Sequence, residues 1–285
     1  MIYKTFPIFM PGSLPAARLT VYIQEHYEEI GIDNRPLVLI CPGGAYAYTS
    51  PREGEALAMQ FLAFGCHAAV LYYSCAPARY PVALTEAAYA MSLIRQHAEE
   101  WYVDPKGVII LGCSAGGHLA ASLGTLWQED FLSQAMGLAG EDRRLLRPDG
   151  MILCYPVITA GKFVHRGSFE NLLGPEEGAE VRLEDAGSLL SGLSLETRVT
   201  KETPPAFIWH TFTDGAVPVE NSLLLISALR EAGVSTEFHM YPVGGHGLSL
   251  ANHLTGHRDG SALQAECTSW ISLARTWIES RYMRV

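Results

Sequence analysis

A Gly-Cys-Ser-Ala-Gly pentapeptide at residues 112–116 stands between an apolar run at 108–111 and a run of small residues after it. In this setting the pattern G-x-S-x-G predicts a sharp turn from a strand into a helix, the arrangement called a nucleophile elbow. Glycines on both sides of Ser114 suit such a turn, because the two backbones approach closely there. The turn would lift the Ser114 hydroxyl out of the sheet toward a base, so we predict that Ser114 is a nucleophile.

Short apolar runs alternate with helical patterns along the rest of the chain. This alternation predicts an α/β fold with a mostly parallel central sheet and helices on both faces. Strands are predicted at 37–41, 68–73, 108–111, 151–155, 206–211 and 236–241, with an additional, antiparallel strand at 18–24. Helices are predicted at 53–64, 82–99, 116–126, 219–232 and 262–279. We expect one domain over residues 1–285, with cap-like insertions near 127–147 and 159–203 that both cover the active-site end of the sheet.

The composition narrows the classes of partner. A hydrophobic content of 48% and a charged content of 18% are typical of a globular chain with a well-filled core. The net charge of −10 argues against binding to nucleic acid, whose phosphates attract Lys and Arg, and it disfavours strongly anionic substrates. No apolar stretch approaches the ~18 residues that cross a membrane. We therefore expect neither a nucleic acid nor a membrane partner, and a homo-oligomer stays open.

The cysteines indicate the compartment. The chain has six, none of them in a C-x-x-C pair, and several lie inside apolar runs as buried free thiols do. The N-terminal segment lacks the long apolar stretch of a secretory signal. Together these features predict a reduced, cytoplasmic protein.

A serine nucleophile needs a histidine that accepts its proton and an acid that orients the histidine. In hydrolases built on a nucleophile elbow, the chain order is serine, acid, histidine. Asp214 directly follows the predicted strand 206–211, and His246 follows the predicted strand 236–241 in a glycine-rich loop. The carboxyl ends of strands are where open α/β sheets place their catalytic groups. We therefore predict a triad of Ser114, Asp214 and His246.

Other acids and histidines compete for these roles. The alternative acids are Asp185, Glu202 and Glu220. His118, on the helix after the elbow, and His210, within a predicted strand, are interpreted as structural. His253 and His257 have the i,i+4 spacing of a helical metal site, but no H-E-x-x-H motif or cysteine accompanies them. We expect no metal and no other cofactor.

Acyl transfer also requires donors for the oxyanion that forms on the substrate. The backbone N–H of Ala115 is one candidate, since it immediately follows the nucleophile. The loop after the predicted strand 37–41 supplies two others, the N–H groups of Gly44 and Ala45. Tyr46 adjoins this loop, and we predict that it lines the substrate pocket.

Six segments carry a resemblance to a known family. They are Cys-Pro-Gly-Gly-Ala-Tyr, Ser-Pro-Arg-Glu-Gly-Glu, Tyr-Ser-Cys-Ala-Pro-Ala-Arg-Tyr-Pro, Gly-Cys-Ser-Ala-Gly-Gly-His-Leu-Ala, Leu-Cys-Tyr-Pro-Val-Ile and Val-Pro-Val-Glu-Asn-Ser. With them the chain resembles esterases and lipases of the α/β-hydrolase superfamily, and more narrowly the bacterial carbohydrate acetyl-esterases, or xylan esterases. The chain departs from lipase-type relatives at Pro42, where they have the histidine of His-Gly-Gly-Gly, and at Ala45, which replaces a glycine.

The resemblance implies a serine-dependent deacylation of short-chain esters, often acetyl groups on sugars, without a metal. It assigns Ser114, Asp214 and His246 to the triad and the amides of Gly44, Ala45 and Ala115 to the oxyanion hole. We therefore expect a serine carboxylesterase whose partner is a small-molecule ester, with acetylated sugars or xylo-oligosaccharides as candidate substrates. Two alternatives stay open, a small peptidase of the same fold and a catalytically inactive protein that binds a ligand.

Overall fold

The strands of this protein form one mixed sheet. The computed structural model describes residues 1–174 and 187–283. Within these ranges the strands are β1 Ile2–Pro7, β2 Arg18–Ile23, β3 Arg35–Cys41, β4 His67–Tyr72, β5 Val103–Cys113, β6 Gly150–Cys154, β7 Ala206–Thr211 and β8 Thr236–Tyr241. They lie in the order β1-β2-β4-β3-β5-β6-β7-β8. Strands β3 to β8 pair in parallel, whereas β2 pairs antiparallel with both β1 and β4.

Helices cover both faces of the sheet. In the described ranges they are α1 Glu55–Ala63, α2 Val82–Gln96, α3 Ala115–Leu126, α4 Asp130–Ala135, α5 Arg166–Leu173, α6 Gly187–Gly192, α7 Glu220–Glu231 and α8 Trp270–Tyr282. Strand side chains alternate between the faces, as a pleated strand requires. In β3, Leu37 and Leu39 pack with α2, α3 and α7, while Val38 and Ile40 pack with α1 and α8. Both faces of the parallel strands are therefore buried.

The carboxyl edge between β3 and β5 is a switch point of this topology. The chain leaves β3 through α1, which packs on one face of the sheet, and leaves β5 through α3, which packs on the other. In open α/β sheets the crevice at such a point is the usual place for a ligand. The loop after β3 and the turn after β5, where the sequence predicts the oxyanion donors and the nucleophile, meet at this crevice.

Most predicted elements are found within a few residues of their predicted bounds. The strands at 206–211 and 236–241 are confirmed as predicted, and β2 is antiparallel as expected. The predicted helix at 262–279 is wrong at its start, because a 3₁₀ turn at Ala265–Ser269 precedes α8. Strand β1 was not predicted, since it is an exposed edge strand without the apolar run of a core strand. Among the described residues, no helix combines the length and the apolar character that a membrane crossing requires.

The two long insertions differ in position. That 127–147 covers the active-site end stays a prediction. Phe131 of α4 packs against Tyr80 (6.4 Å between ring centroids), whose N–H donates to Leu172 O of α5 (2.8 Å), whereas the end of the insertion lies at the opposite edge of the sheet. Near that edge Arg95 donates hydrogen bonds to the carbonyl groups of Arg147 (2.6 Å) and Pro105 (2.7 Å). Of the insertion 159–203, residues 175–186 lie outside the described residues. Its helix α5 packs beside the carboxyl edge, where Asn171 donates to the carbonyl oxygen of Ala45 (2.9 Å).

Candidate active site

Ser114 sits on a strained turn between β5 and α3. Its φ of 54° and ψ of −119° lie in a sparsely populated region that costs on the order of 1–3 kcal/mol for a residue with a side chain. Surrounding bonds hold this conformation, because the Ser114 N–H donates to Cys154 O (3.0 Å) and the Ser114 carbonyl accepts from Val157 N (3.0 Å). The nucleophile elbow predicted from the sequence is therefore built into the end of the parallel sheet.

The two glycines of the pentapeptide are required by close packing of backbones. A Cβ at Gly112 would lie 2.0 Å from the carbonyl oxygen of Gly116, and a Cβ at Gly116 would lie 2.1 Å from the carbonyl oxygen of Cys41. Neither position can hold a side chain unless backbone moves. The two glycines of the G-x-S-x-G pattern are thus needed because α3 packs closely against both β5 and the end of β3.

The structure brings the three predicted triad residues into one hydrogen-bonded chain. Ser114 Oγ lies 2.7 Å from His246 Nε2, and His246 Nδ1 lies 2.7 Å from Asp214 Oδ2. His246 is part-exposed, whereas the Asp214 side chain is fully buried. The imidazole thus bridges a buried carboxylate and a hydroxyl at the crevice, which is the geometry that general-base activation of a serine needs.

Asp214 is held as a carboxylate by several donors. Its Oδ1 accepts hydrogen bonds from the N–H groups of Ala216 (2.9 Å) and Val217 (3.0 Å). Burial on its own would raise the pKa of Asp214, but the hydrogen bonds from His210 and His246 and the nearby backbone donors hold this pKa well below its usual value. The acid therefore stays ionised beneath His246 and can stabilise the positive charge that forms on the imidazole.

His210 is a second histidine on the same carboxylate. Its Nε2 lies 3.2 Å from Asp214 Oδ2 and 3.0 Å from the carbonyl oxygen of Val217. Its Nδ1 lies 2.8 Å from Ser222 Oγ. Since Val217 O can only accept, Nε2 carries a proton, and the Ser222 hydroxyl is hydrogen-bonded to Nδ1. The sequence interpretation of His210 as a packed strand residue missed this contact, which only the fold creates.

The predicted oxyanion donors lie on the loop after β3 and at the start of α3. Gly44 and Ala45 both have positive φ, 127° and 54°, so the loop turns sharply at the crevice. A Cβ built at Gly43 would lie 3.0 Å from Ser114 Cβ, which shows how closely this loop passes Ser114. Across residues 1–174 and 187–283, no acceptor takes the N–H of Gly44, Ala45 or Ala115. Three amide donors near Ser114 are thus available to a ligand.

Tyr46 does not face the open crevice. Its side chain is buried beneath the loop, with 3% of the residue exposed, and its hydroxyl lies 2.9 Å from His118 Nδ1. His118 Nε2 in turn donates to the carbonyl oxygen of Leu193 (3.0 Å). The pocket-lining role predicted for Tyr46 is at odds with this placement, because positive φ at both Ala45 and Tyr46 turns the side chain toward the core.

Helix α5 contributes polar side chains that the sequence did not single out. His165 caps the start of α5 through its contact with Ser168, and its ring lies nearly parallel to that of His246 with 6.5 Å between centroids. Burial, and then the nearby His246, lower the pKa of His165. Asn171 anchors the carbonyl group of Ala45. The local sequence does not predict the contacts of these residues, because those contacts depend on where the insertion folds back against the sheet.

Among the described residues, His246 contacts the carboxylate of Asp214 and not that of Glu202 or Glu220. Glu220 begins α7 and Glu202 precedes β7, while Asp185 lies outside the described residues. His253 and His257 are exposed in turns, so they lack the helix that their spacing would need. In the part of the chain that the structure describes, no group of three or more His, Cys, Asp or Glu side chains is placed to hold a metal ion.

Comparisons with known proteins show which family and which solved structures the chain resembles. Residues 21–229 match the model of the family described as BD-FAE. The chain is 37% identical over 224 residues to endo-1,4-beta-xylanase B of Butyrivibrio fibrisolvens, a match that covers 76% of this chain and 33% of that protein. It is 29% identical over 220 residues to the acetylxylan esterase of Xylanibacter ruminicola, covering 76% of this chain and 42% of that protein. The chain thus spans between a third and a half of the length of these curated relatives.

A solved structure resembles the chain over nearly its full length. The acetyl ester-xyloside bifunctional hydrolase from Caldicellulosiruptor lactoaceticus is 34% identical, with a TM-score of 0.77, and the match covers 96% of this chain and 91% of that one. The fold is therefore the α/β-hydrolase fold, as the sequence predicted.

Proposed function

The chain belongs to the BD-FAE family of α/β-hydrolases, and on this premise we propose that it is a serine carboxylic ester hydrolase that removes short acyl groups, acetyl above all, from neutral alcohols. The chain of contacts from Ser114 through His246 to Asp214, with 2.7 Å at each step, is the observation that carries the proposal. A ligand-binding protein without catalysis would have no need to hold a serine in a strained turn beneath a histidine that is backed by a buried carboxylate.

In the proposed mechanism, Ser114 Oγ attacks the ester carbonyl carbon while His246 Nε2 takes the hydroxyl proton. Asp214 holds the imidazole through Nδ1 and stabilises its positive charge. The oxyanion of the tetrahedral intermediate accepts hydrogen bonds from backbone N–H groups at Gly44, Ala45 and Ala115.

Collapse of this intermediate breaks the bond to the alcohol, which leaves with the proton held by His246. An acyl group then remains on Ser114 Oγ. A water molecule attacks it with His246 again as the base, and the second intermediate releases the carboxylic acid and restores the serine hydroxyl. All protons in this cycle pass through one nitrogen, His246 Nε2.

The substrate class is proposed from the named relatives and from the charge of the chain. A relative is named acetylxylan esterase, and a similar solved structure is named an acetyl ester-xyloside hydrolase. The net charge of −10 gives no attraction to an anionic alcohol. We therefore propose acetylated sugars, xylo-oligosaccharides among them, as substrates. The six cysteines are all buried and unpaired, which supports a reducing, cytoplasmic setting.

The test is hydrolysis of p-nitrophenyl acetate by the wild type and by Ser114→Ala. We expect the variant to lose ~10⁴-fold or more in kcat and to keep its fold and melting temperature. Ser122→Ala, the same substitution at a buried serine two turns along α3, is the matched control and should keep full activity. A fluorophosphonate probe should label the wild type and not Ser114→Ala. Retention of a tenth of wild-type activity by Ser114→Ala would refute the assignment.

A further inference from the structure

Glu53 is a buried carboxylate beside the nucleophile that the mechanism above does not use. It ends a 3₁₀ turn at Pro51–Glu53 and is 3% exposed. Its Oε2 accepts a hydrogen bond from the N–H of Gly43 (2.8 Å), and its Oε1 accepts one from the hydroxyl of Tyr155 (2.6 Å). A buried carboxylate is costly unless donors satisfy it, so a specific task is expected of this one.

Tyr155 connects this carboxylate to the loop that carries the base. Its hydroxyl oxygen accepts a hydrogen bond from the N–H of Ser249 (2.9 Å), three residues after His246. Its ring meets the His246 ring edge to face, with 5.2 Å between centroids and 73° between planes. The far side of the Ser249 turn is fixed as well, because Ser249 Oγ donates to the carbonyl oxygen of Arg52 (2.7 Å). A continuous path of hydrogen bonds thus runs from Gly43 to the His246 loop.

Each hydrogen bond along this path has a defined donor and a defined acceptor. The Gly43 amide can only donate, so Glu53 Oε2 must accept. The Tyr155 oxygen already accepts from Ser249, so the Tyr155 proton needs an acceptor of its own, which is Glu53 Oε1. A glutamine has only one acceptor oxygen, so its NH₂ group would face either the Gly43 N–H or the Tyr155 hydroxyl, whose proton would then lose its acceptor. The path therefore requires a carboxylate at position 53.

The same contacts set the orientation of the oxyanion loop. The N–H of Gly43 points to Glu53 and is committed there, whereas the next two amides, at Gly44 and Ala45, have no acceptor among the described residues. A Cβ at Gly43 would lie 2.7 Å from Glu53 Oε2 and 3.0 Å from Ser114 Cβ, so the loop is clamped between the carboxylate and the nucleophile. Glu53 therefore anchors the peptide that precedes both free donors.

We propose that Glu53 and Tyr155 are a positioning pair that holds the oxyanion donors on one side of Ser114 and His246 on the other in a fixed mutual geometry. The proposal rests on the proposed function for the roles of these groups. Neither member has a hydrogen bond to Ser114 or His246 among the described residues. Their effect is exerted through the two loops that they join, so it should appear in the transition state and not in the binding of the substrate.

The experiment compares Glu53→Gln, Tyr155→Phe and the double variant with the wild type, using p-nitrophenyl acetate. Asp149→Asn and Tyr282→Phe are matched controls at the opposite edge of the sheet. There the Asp149 carboxylate accepts from the N–H of Val108 (2.9 Å), and the Tyr282 hydroxyl donates to the Asp149 carbonyl oxygen (2.8 Å). The controls thus make the same two substitutions, carboxylate to amide and tyrosine to phenylalanine, without touching either loop; the Asp149 carboxylate is also paired with Arg95 (3.0 Å).

We expect each site variant to lose about 10- to 100-fold in kcat with KM changed by less than about twofold. The double variant should lose about as much as the worse single variant, since both break one path. The inhibition constant of phenylboronic acid, which forms a tetrahedral adduct on the serine, should rise by the same factor as kcat/KM falls. The control variants should keep kcat within about twofold of the wild-type value, even if their melting temperatures change.

A kcat within about fivefold of the wild type in folded Tyr155→Phe, or equal losses in the control variants, would overturn the proposal. If Glu53→Gln does not fold, Tyr155→Phe carries the test alone. Amide exchange gives a measurement that does not depend on activity, because the N–H groups of Gly43 and Ser249 should exchange faster in both site variants. A wild type without esterase activity would refute the proposed function, whereas unchanged exchange at these two amides would refute the positioning pair.

Discussion

His210 and His246 contact the same oxygen of Asp214. His246 Nδ1 lies 2.7 Å from Asp214 Oδ2, and His210 Nε2 lies 3.2 Å from it. His246 is part-exposed at the crevice, whereas His210 is fully buried at the end of β7. A buried imidazole nitrogen, which also donates to the carbonyl oxygen of Val217 (3.0 Å), thus lies against the carboxylate oxygen that His246 contacts.

We expect His210→Phe to lower kcat/KM by roughly tenfold, because the lost hydrogen bond to a carboxylate contributes on the order of 1.5–3 kcal/mol and part of it acts through the orientation of Asp214. The measurement is hydrolysis of p-nitrophenyl acetate by folded protein. Ser222→Ala is the control, since it removes the partner of the other ring nitrogen and leaves the donor to Asp214 in place. Equal kcat/KM in His210→Phe and the wild type would mean that His246 and the backbone donors are enough to orient the Asp214 carboxylate.

Asn171 holds the oxyanion loop from the side of the insertion. Its amide donates to the carbonyl oxygen of Ala45 (2.9 Å), so it fixes the peptide that follows one of the free donors. We expect Asn171→Leu to lower kcat by about tenfold with little change in KM, since a small displacement of a donor is felt mainly in the transition state. Steady-state kinetics separate the two parameters. A variant with raised KM and unchanged kcat would assign Asn171 to substrate binding instead.

The elbow and the two loops were predictable because their signals are local. Ser114 lies in a pentapeptide whose glycines are enforced by contacts of 2.0 and 2.1 Å, and Asp214 follows a strand whose predicted bounds are confirmed. The resemblance to α/β-hydrolase esterases and the mostly parallel sheet are likewise confirmed. The structure brings Ser114, Asp214 and His246 together, and their roles stay predictions for the experiments above.

The supporting residues were not predictable because their partners are distant in sequence. Glu53 was interpreted as the start of a helix, and nothing near it in the chain indicates that its carboxylate meets Tyr155. Asn171 lies in an insertion without periodic apolar residues, so its contact with Ala45 depends on the whole fold. The prediction that Tyr46 lines the pocket differs from its buried position for another reason. Positive φ values at Ala45 and Tyr46 cannot be predicted from a pattern of apolar and polar residues.

Two buried histidines make the folded state sensitive to acid. Burial lowers the pKa of His118 from 6.5 to about 4, and it does the same for His67. The unfolded chain therefore binds more protons than the folded protein between these pKa values. Stability is fully present above the unfolded pKa and is lost as the pH falls toward 4, by up to about 1.4 kcal/mol per pH unit for each histidine.

We expect the free energy of unfolding in urea to fall from about pH 7 to about pH 4.5, and the fall to be shallower in His118→Gln. Glutamine can accept from the Tyr46 hydroxyl and donate to the Leu193 carbonyl group, so it replaces both contacts of His118 without titrating. His257→Gln, at an exposed histidine, is the control and should keep the wild-type slope. The same slope in His118→Gln as in the wild type would contradict the assignment.

The length of the acyl group should affect the rate of hydrolysis. A long acyl chain needs an apolar trough, in which each buried CH₂ contributes about 0.8 kcal/mol. The apolar side chains that α5 could offer are used elsewhere, because Phe169 and Leu172 are buried in the core cluster against α2 and α3. The side chains that α5 presents at the crevice are polar, with His165 near His246 and Asn171 at the oxyanion loop. We therefore expect kcat/KM to fall from p-nitrophenyl acetate through butyrate to octanoate.

Release of acetate from acetylated xylo-oligosaccharides by the same preparation tests the alcohol part of the substrate separately. Faster turnover of octanoate than of acetate would refute the argument from α5. Release from no acetylated sugar would leave the esterase in place and remove the proposed sugar substrate, because the acyl and alcohol parts of an ester are separate groups attached on the two sides of its carbonyl carbon.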